Sequence, residues 1–161
     1  MIVVSNTSPL INLAAVGQLG LLKQLYGQVA VPQAVYDEIV VRGAGLPGAA
    51  EVQAGDWIRC QAAADHNVVT ALLAELDRGE AETIALAAEM HADLVLLDER
   101  MARRVAARFD LKFVGLLGVL MESKTQGLIP AVKPVVDLLM SQAGFWIDDS
   151  LYQQILKAAD E

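Results

Sequence analysis

The stretch DLVLLDERMARRVAARF, residues 93–109, contains the clearest secondary-structure signal in the chain. Its first part, DLVLLD (93–98), is a short apolar run with the length and composition of a buried β-strand. The remainder, ERMARRVAARF, is typical of a helix and leads into a second short strand, KFV, at 112–114. A strand, a helix and a strand in this order predict a βαβ unit, whose two strands run parallel.

The same alternation extends toward the N-terminus. Three more apolar segments predict strands: IVV (2–4), QVAVP (28–32) and WIRC (57–60). The segments between strands are about ten residues long and helical in pattern, and the glycine-rich stretch 43–56 predicts a loop with a single helical turn. We therefore expect an α/β domain in which helices cover both faces of a parallel sheet.

Proline and glycine positions predict where individual helices begin and end. Ser8 followed by Pro9 predicts a helix with Ser8 as its N-cap and Pro9 as its first residue. Gly27 is a suitable C-cap for the helix LGLLKQLYG. Pro32 is expected to open the helix QAVYDEIVVR.

The chain has the length of one domain and enough apolar residues for a large core. It has 161 residues, of which 55% are hydrophobic, and we expect a single domain over 1–161 whose last 35 residues or so form a helical extension packed on it. No apolar stretch approaches the roughly 18 residues of a membrane span. The start of the chain lacks an export signal and Cys60 has no partner for an internal disulfide, so we expect a cytoplasmic protein.

The net charge of −8 argues against a protein that holds nucleic acid by general basicity. It does not argue against a nuclease. A site that binds a divalent metal through carboxylates is itself acidic, and the metal presents the positive charge to phosphate.

Oxygen-bearing residues occur where ligands bind in parallel α/β sheets, beyond the carboxyl ends of the strands. Four candidates stand out, and each also has a purely structural explanation. Asp98 precedes a helix and would suit its N-cap, and Glu80 lies three residues after Asp77, the spacing of a capping box. Glu38 could be a solvated helix charge and Asn6 a turn residue. Spacing alone does not decide between these alternatives.

Three ordered segments resemble the PIN-domain superfamily, closest to its DUF3368-type branch, which is related to toxin–antitoxin ribonucleases. They are VVSNTSPLINLAAVGQLGLLKQLYGQVAVPQAVYDEIV, LDRGEAETIALAAEMHADLVLLDERMARRVAARF and VGLLGVLMESKTQGLI. The resemblance covers nearly the whole chain. It implies a three-layer α/β/α sandwich and a Mg²⁺-dependent endoribonuclease, the toxin of a type II toxin–antitoxin pair.

The same resemblance implies a set of site residues. Glu38, Glu80 and Asp98 would be catalytic and, together with Asn6, would hold Mg²⁺, for which Mn²⁺ could substitute. Glu82 is the alternative to Glu80, since residues two apart on a helix face different ways. The hydroxyl groups of Thr7 and Ser8 would hydrogen-bond the ligands or a water molecule.

Asn6 departs from the family pattern, which has an aspartate at this place. An amide oxygen can coordinate a hard cation but brings no charge, so metal binding should be weaker. The resemblance therefore leaves an alternative from another class, a weak or inactive PIN-like module that binds RNA or a protein without cutting. A third possibility, a receiver-like phosphoacceptor domain using Asp98, lacks the acidic pair expected after the first strand.

Positive charge is concentrated on the helix after Asp98. Arg100, Arg104 and Arg108 share one face, with Arg103 adjacent. We expect Arg100 and Arg104 to contact substrate phosphate, whereas Arg108 could equally pair with a nearby acid.

Three aromatic residues are expected to be structural: Trp57, Phe145 and Trp146 would fill the core or a dimer seam rather than stack on RNA bases. The partners expected are an RNA substrate, a small antitoxin protein and a second copy of the chain in a homodimer.

Overall fold

A computed structural model of the chain describes residues 1–161 and contains one five-stranded sheet. All neighbouring strands are parallel, in the order β3-β2-β1-β4-β5. The strands are β1 (Val3–Ser5), β2 (Val29–Val31), β3 (Ile58–Cys60), β4 (Leu94–Leu96) and β5 (Phe113–Val114). All five were predicted from the sequence, and the parallel sheet is confirmed.

Ten helices connect and flank the strands. They are α1 (Thr7–Ala15), α2 (Gly20–Tyr26), α3 (Gln33–Tyr36), α4 (Ala49–Ala54), α5 (His66–Leu72), α6 (Arg78–Glu89), α7 (Arg100–Arg108), α8 (Leu116–Thr125), α9 (Lys133–Gln142) and α10 (Asp149–Ala158). Helix α3 continues directly into a π-helical segment, Asp37–Arg42. No helix is both long and apolar enough to cross a membrane.

Alternate residues of the three inner strands, β1, β2 and β4, enter two different hydrophobic clusters, one on each face of the sheet. Val3 packs with apolar residues of α1, α2, α3, α8 and α9. Its neighbour Val4 packs with apolar residues of α5, α6 and α7. Successive side chains of a strand point to opposite faces, so both faces are buried under helices. The predicted three-layer α/β/α sandwich is confirmed.

The predicted end of α2 is confirmed, but the predicted start of α1 is wrong. Gly27 follows α2 with φ +79°, a backbone conformation that glycine adopts without strain. Helix α1 begins at Thr7, with Asn6 rather than Ser8 in the N-cap position. Pro9 is therefore the third helical residue. Proline has no N–H to lose to an intrahelical bond anywhere in the first turn, so it does not mark the exact start.

Candidate functional site

Asn6 lies at the carboxyl end of β1, in the middle of the sheet. Its backbone N–H donates to the carbonyl of Leu96 on β4 at 3.1 Å, which carries the strand pairing one residue past β1. The residue is only 7% exposed. Its side-chain amide makes no hydrogen bond within the chain and does not cap α1. A side-chain amide without a protein partner leaves its oxygen free to accept from water or to bind a ligand.

Glu38 reaches the same region from the π-helical segment. Thr7, the first residue of α1, donates its Oγ1 hydroxyl to Glu38 Oε2 at 2.8 Å. This hydrogen bond holds the Glu38 carboxylate toward the end of β1, whereas the neighbouring Ser8 makes no side-chain hydrogen bond. Short π-helical segments such as Asp37–Arg42 are rare and occur frequently at functional sites.

Three side-chain oxygens meet at Gly79, the second residue of α6. A Cβ atom placed on Gly79 would lie 3.4 Å from Glu38 Oε2, 3.5 Å from Asn6 Oδ1 and 3.6 Å from Asp77 Oδ1. We call Asn6, Glu38 and Asp77 the oxygen cluster. Because Gly79 has no side chain, the space between these oxygens stays open.

Asp77 was not predicted to be part of the site. Its Oδ1 accepts the N–H of Glu80 at 2.8 Å, and Glu80 Oε1 accepts the N–H of Asp77 at 3.1 Å. This is the capping box that the spacing predicted. The motif explains both residues locally, and the oxygens of Asn6 and Glu38 approach Gly79 from other elements to join Asp77 Oδ1 there.

Glu80 is nearly buried and its carboxyl is hard to ionise. Burial raises the pKa of Glu80, and the negative charges of Asp77 and Glu99 add to that effect against the lowering influence of the Asp77 N–H. The alternative ligand, Glu82, lies elsewhere: its Oε1 accepts the N–H of Ala34 at 3.0 Å, at the start of α3. Glu80 is thus the member of the pair that contacts the oxygen cluster, through Asp77.

The purely structural explanation of Asp98, that it caps the N-terminus of α7, is wrong. Glu99 occupies that N-cap position, and Asp98 Oδ1 accepts the N–H of Leu116, the first residue of α8, at 3.0 Å. Nη2 of Arg103 lies 3.8 Å from the same oxygen. The other oxygen, Oδ2, is buried without a hydrogen-bond partner. The chain bends back after β5, and this return brings α8 to Asp98.

Glu38 and Asp98 face different clefts. Glu38 and Thr7 line a cleft of about 410 Å³ between α1 and the π-helical segment. Asp98 lines a second cleft, of about 700 Å³, together with residues of α7, β5 and α10. Of the four predicted ligands, the structure brings together Asn6 and Glu38, adds Asp77, and ties Glu80 and Asp98 to helix N-termini.

The arginines of α7 separate into three environments. Arg103 donates Nε to the Leu97 carbonyl at 2.7 Å and lies over the ring of Phe113, 5.2 Å from its centroid. Arg108 pairs with Glu75 at 2.5 Å, one of the two roles its position allowed. Arg100 is exposed and lines the Asp98 cleft, whereas Arg104 is exposed and makes no ion pair.

Trp146 does not lie in the core, since 79% of its surface is exposed, which leaves a dimer seam as the remaining one of its two expected locations. Trp57 and Phe145, by contrast, are half-buried and pack against the core of the α8–α9 face. Trp146 lies in the connection between α9 and α10, where no strand or helix covers it.

The oxygen cluster suits a hard divalent cation in its donor chemistry. Mg²⁺ prefers oxygen ligands and keeps several of its water molecules, so it needs few protein ligands. The cluster offers two carboxylates, an amide and an opening the size of a methyl group at Gly79. With only two carboxylates the oxygen cluster carries little negative charge for binding a divalent cation. No group of three or more Asp, Glu, His or Cys side chains is arranged to hold a metal ion.

Replacing Asp98 with asparagine should stabilise the protein at neutral pH. Burial raises the pKa of Asp98, against the opposing N–H of Leu116 and charge of Arg103, so ionisation costs the fold stability. The free energy of unfolding of the wild type falls as pH rises from the ordinary pKa of an aspartate to the raised pKa of Asp98 in the folded chain. Asp98→Asn has no carboxyl to ionise there and avoids this loss. We expect a gain of about 1 kcal/mol in the free energy of unfolding at pH 7.

Urea denaturation of Asp98→Asn and wild type checks this prediction. The difference should disappear below the ordinary pKa of 3.8, where Asp98 is protonated in both folded and unfolded chains. Asp56→Asn, at an exposed aspartate without hydrogen-bond partners, should change little at either pH. An Asp98→Asn variant that is less stable than wild type at pH 7 contradicts the prediction.

Fold and oxygen cluster together define a three-layer α/β protein with an oxygen-rich centre at the carboxyl ends of its parallel strands. The family model DUF3368, described as a PIN domain, matches residues 2–161. The chain therefore belongs to the PIN-domain superfamily, in its DUF3368 branch. PIN domains are generally nucleases that typically use divalent metals, which supports a hydrolase-type function here. A comparison with curated proteins gives no match.

Proposed function

We propose that this protein is a Mg²⁺-dependent endoribonuclease that hydrolyses RNA phosphodiester bonds at the oxygen cluster. The observation that carries the proposal is the convergence of Asn6 Oδ1, Glu38 Oε2 and Asp77 Oδ1 on the open side of Gly79. Their residues are separated by up to 71 positions in the chain, yet all three point an oxygen at one small space.

In this proposal Asn6, Glu38 and Asp77 hold the cation, and neighbouring residues position them. Thr7 fixes the Glu38 carboxylate with its hydroxyl, and Glu80 fixes Asp77 through the capping box. Asp98 follows the adjacent strand β4, and its Oδ2 is buried without a hydrogen-bond partner. A bound divalent cation would lower the pKa of a coordinated water and offset charge on the phosphate.

The electrostatics of the chain suit this chemistry. Phosphate must approach a protein of net charge −8, so positive groups near the site are needed in addition to the cation. Arg100 and Arg104 are exposed and free of ion pairs, on the helix that follows Asp98. We assign them to substrate phosphate.

We further propose that the nuclease acts in the cytoplasm as a homodimer, as the toxin of a type II pair whose small antitoxin protein binds it. The support is the resemblance of its ordered segments to PIN-domain toxins and its membership of that superfamily. A small protein encoded in the neighbouring reading frame that binds this chain and suppresses its cleavage of RNA would supply the missing partner.

Cleavage of single-stranded RNA tests the proposed activity. With Mn²⁺ or Mg²⁺, the purified protein should cut an end-labelled RNA slowly, and Glu38→Gln should reduce the rate at least 100-fold. Glutamine keeps the acceptor for Thr7 but removes the charge that holds the cation, a loss of about 2.7 kcal/mol or more in transition-state stabilisation.

Glu51→Gln is the matched control, because Glu51 is exposed on α4 and makes no hydrogen bond or ion pair through its side chain. It should cut RNA at the wild-type rate. Cleavage that persists in Glu38→Gln, or in the presence of a chelator, comes from a contaminant or from another site and contradicts the proposal.

A second candidate function is a module that binds RNA or protein without cutting. The uncharged Asn6 at the centre of the cluster favours it, since the cation would then be held by only two carboxylates. Calorimetric titration with Mn²⁺ separates the two functions. Heat of binding that Glu38→Gln removes supports the nuclease, and no binding at millimolar Mn²⁺ supports the non-cutting module.

A further inference from the structure

We propose that the cleft beside Asp98 is the binding site for a single-stranded segment of the RNA, with bases stacked on Trp146 and Phe113 and phosphates on Arg100. This cleft has a volume of about 700 Å³ and lies between α7, β5 and the connection from α9 to α10. The inference rests on the proposed function, because the bound RNA is taken to be the substrate of the oxygen cluster.

Exposed aromatic surface is the first argument. Trp146 is 79% exposed and Phe113 38% exposed, and both line the cleft. Stacking on aromatic rings is the usual way in which proteins hold unpaired bases, since every base has a flat face. A single exposed apolar residue is common on protein surfaces, but two exposed aromatic residues that line one cleft mark an interaction site.

Positive charge in the same cleft is the second argument. Helix α7 carries four of the 12 basic residues of an acidic chain. Arg100 lines the cleft without an acidic partner, and Arg103 already lies over the Phe113 ring, 5.2 Å from its centroid. Alternation of cations and flat rings matches a nucleic-acid strand, in which phosphates alternate with bases.

Position is the third argument. The cleft contains Asp98 at the end of β4, and β4 pairs directly with β1, which ends at Asn6. An RNA strand bound in the cleft could therefore extend along the carboxyl edge of the sheet to the oxygen cluster. The carboxylates of Asp98 and Glu99 also line the cleft, and they disfavour a phosphate beside them; the aromatic rings and arginines therefore supply the contacts.

Binding of a fluorescein-labelled ten-nucleotide oligoadenosine RNA, in a chelator so that no cutting occurs, tests the inference. Fluorescence anisotropy should show that Trp146→Ala weakens binding about 5- to 100-fold, the usual effect of removing one stacked base contact. Trp146→Phe, which keeps a ring, should bind close to wild type. Arg100→Ala should lower the slope of log K against log salt by about one.

Two controls identify stacking as the cause. Trp57→Phe should bind RNA as wild type does, because Trp57 is half-buried against the core. In that variant Trp146 is the only tryptophan, so quenching of its fluorescence by the RNA should report the stacked base directly. An abasic strand of the same length should bind wild type and Trp146→Ala equally.

The outcomes separate this inference from the nuclease. If RNA binding depends on Trp146 but no metal-dependent cleavage occurs, the assignment of the cleft to RNA is supported and the proposed nuclease activity is contradicted. Equal RNA binding by wild type and Trp146→Ala overturns the cleft, whether or not the protein cuts. Sedimentation that shows a dimer dissociated by Trp146→Ala, with RNA affinity unchanged, also overturns it and assigns the face to a second copy of the chain.

Discussion

Gly79→Ala should abolish Mn²⁺ binding while leaving the fold intact. The added Cβ would lie within 3.4 to 3.6 Å of Glu38 Oε2, Asn6 Oδ1 and Asp77 Oδ1 and would fill the space between them. These distances are ordinary van der Waals contacts, so no rearrangement is needed. Alanine is also the better helix former, by up to about 1 kcal/mol, so stability should be equal or higher.

Calorimetric titration with Mn²⁺ and thermal unfolding of the same sample check both parts of this prediction. Gly20→Ala is the matched control: Gly20 is also in the first turn of a helix, α2, and a Cβ there meets no atom within 4 Å. It should bind Mn²⁺ as wild type does. Undiminished binding by Gly79→Ala places the cation elsewhere and contradicts the assignment of the oxygen cluster.

Asn6→Asp should tighten Mn²⁺ binding at least tenfold and accelerate RNA cleavage. The substitution is nearly isosteric and adds a charge that faces Glu38 and Asp77 across the open side of Gly79. A unit charge and a divalent ion 4 Å apart attract by about 8 kcal/mol at an effective dielectric of 20, before desolvation. If about one sixth of that attraction, about 1.4 kcal/mol, remains after desolvation, the affinity for Mn²⁺ rises tenfold.

The same charge should make the metal-free protein less stable, by about 1 to 2 kcal/mol, because it is buried near two other carboxylates. Saturating Mn²⁺ should restore the loss, since a ligand that binds only the folded chain stabilises it. Thermal unfolding with and without Mn²⁺ measures both effects. Asn67→Asp, at an exposed position of α5, should change neither, and an unchanged Mn²⁺ affinity in Asn6→Asp favours the non-cutting module.

Local sequence patterns predicted most of the architecture. Short apolar runs identified the three inner strands, because a strand buried on both faces must be apolar throughout. The edge strands β3 and β5 are partly exposed, and their runs WIRC and KFV each contain a basic residue. The capping box at Asp77 and Glu80 was readable because its two hydrogen bonds join residues three apart. The start of α1 was misplaced because Pro9 is equally compatible with any position in the first turn.

Positions in the candidate site were harder to predict where a residue already had a local structural explanation. Asp77 was fully explained as a helix cap, so nothing in its neighbourhood suggested that its oxygen also faces Glu38. Trp146 was expected in the core or in a dimer seam, and it is exposed in the single chain because no helix or strand covers the connection between α9 and α10. Burial of a single aromatic residue depends on distant elements that local periodicity does not encode.

Local sequence patterns were sufficient to predict the parallel α/β domain and to identify the polar residues that follow its strands. The apolarity of strands, the periodicity of helices and the capping of helix ends involve residues close in the chain, so they can be recognised in the sequence without coordinates. Which oxygens lie together depends on long-range packing, which brings Asn6, Glu38 and Asp77 to Gly79 and directs Asp98 to the N-terminus of α8. Side-chain convergence depends on how whole helices pack on the sheet, and that packing follows from contacts between residues far apart in the chain.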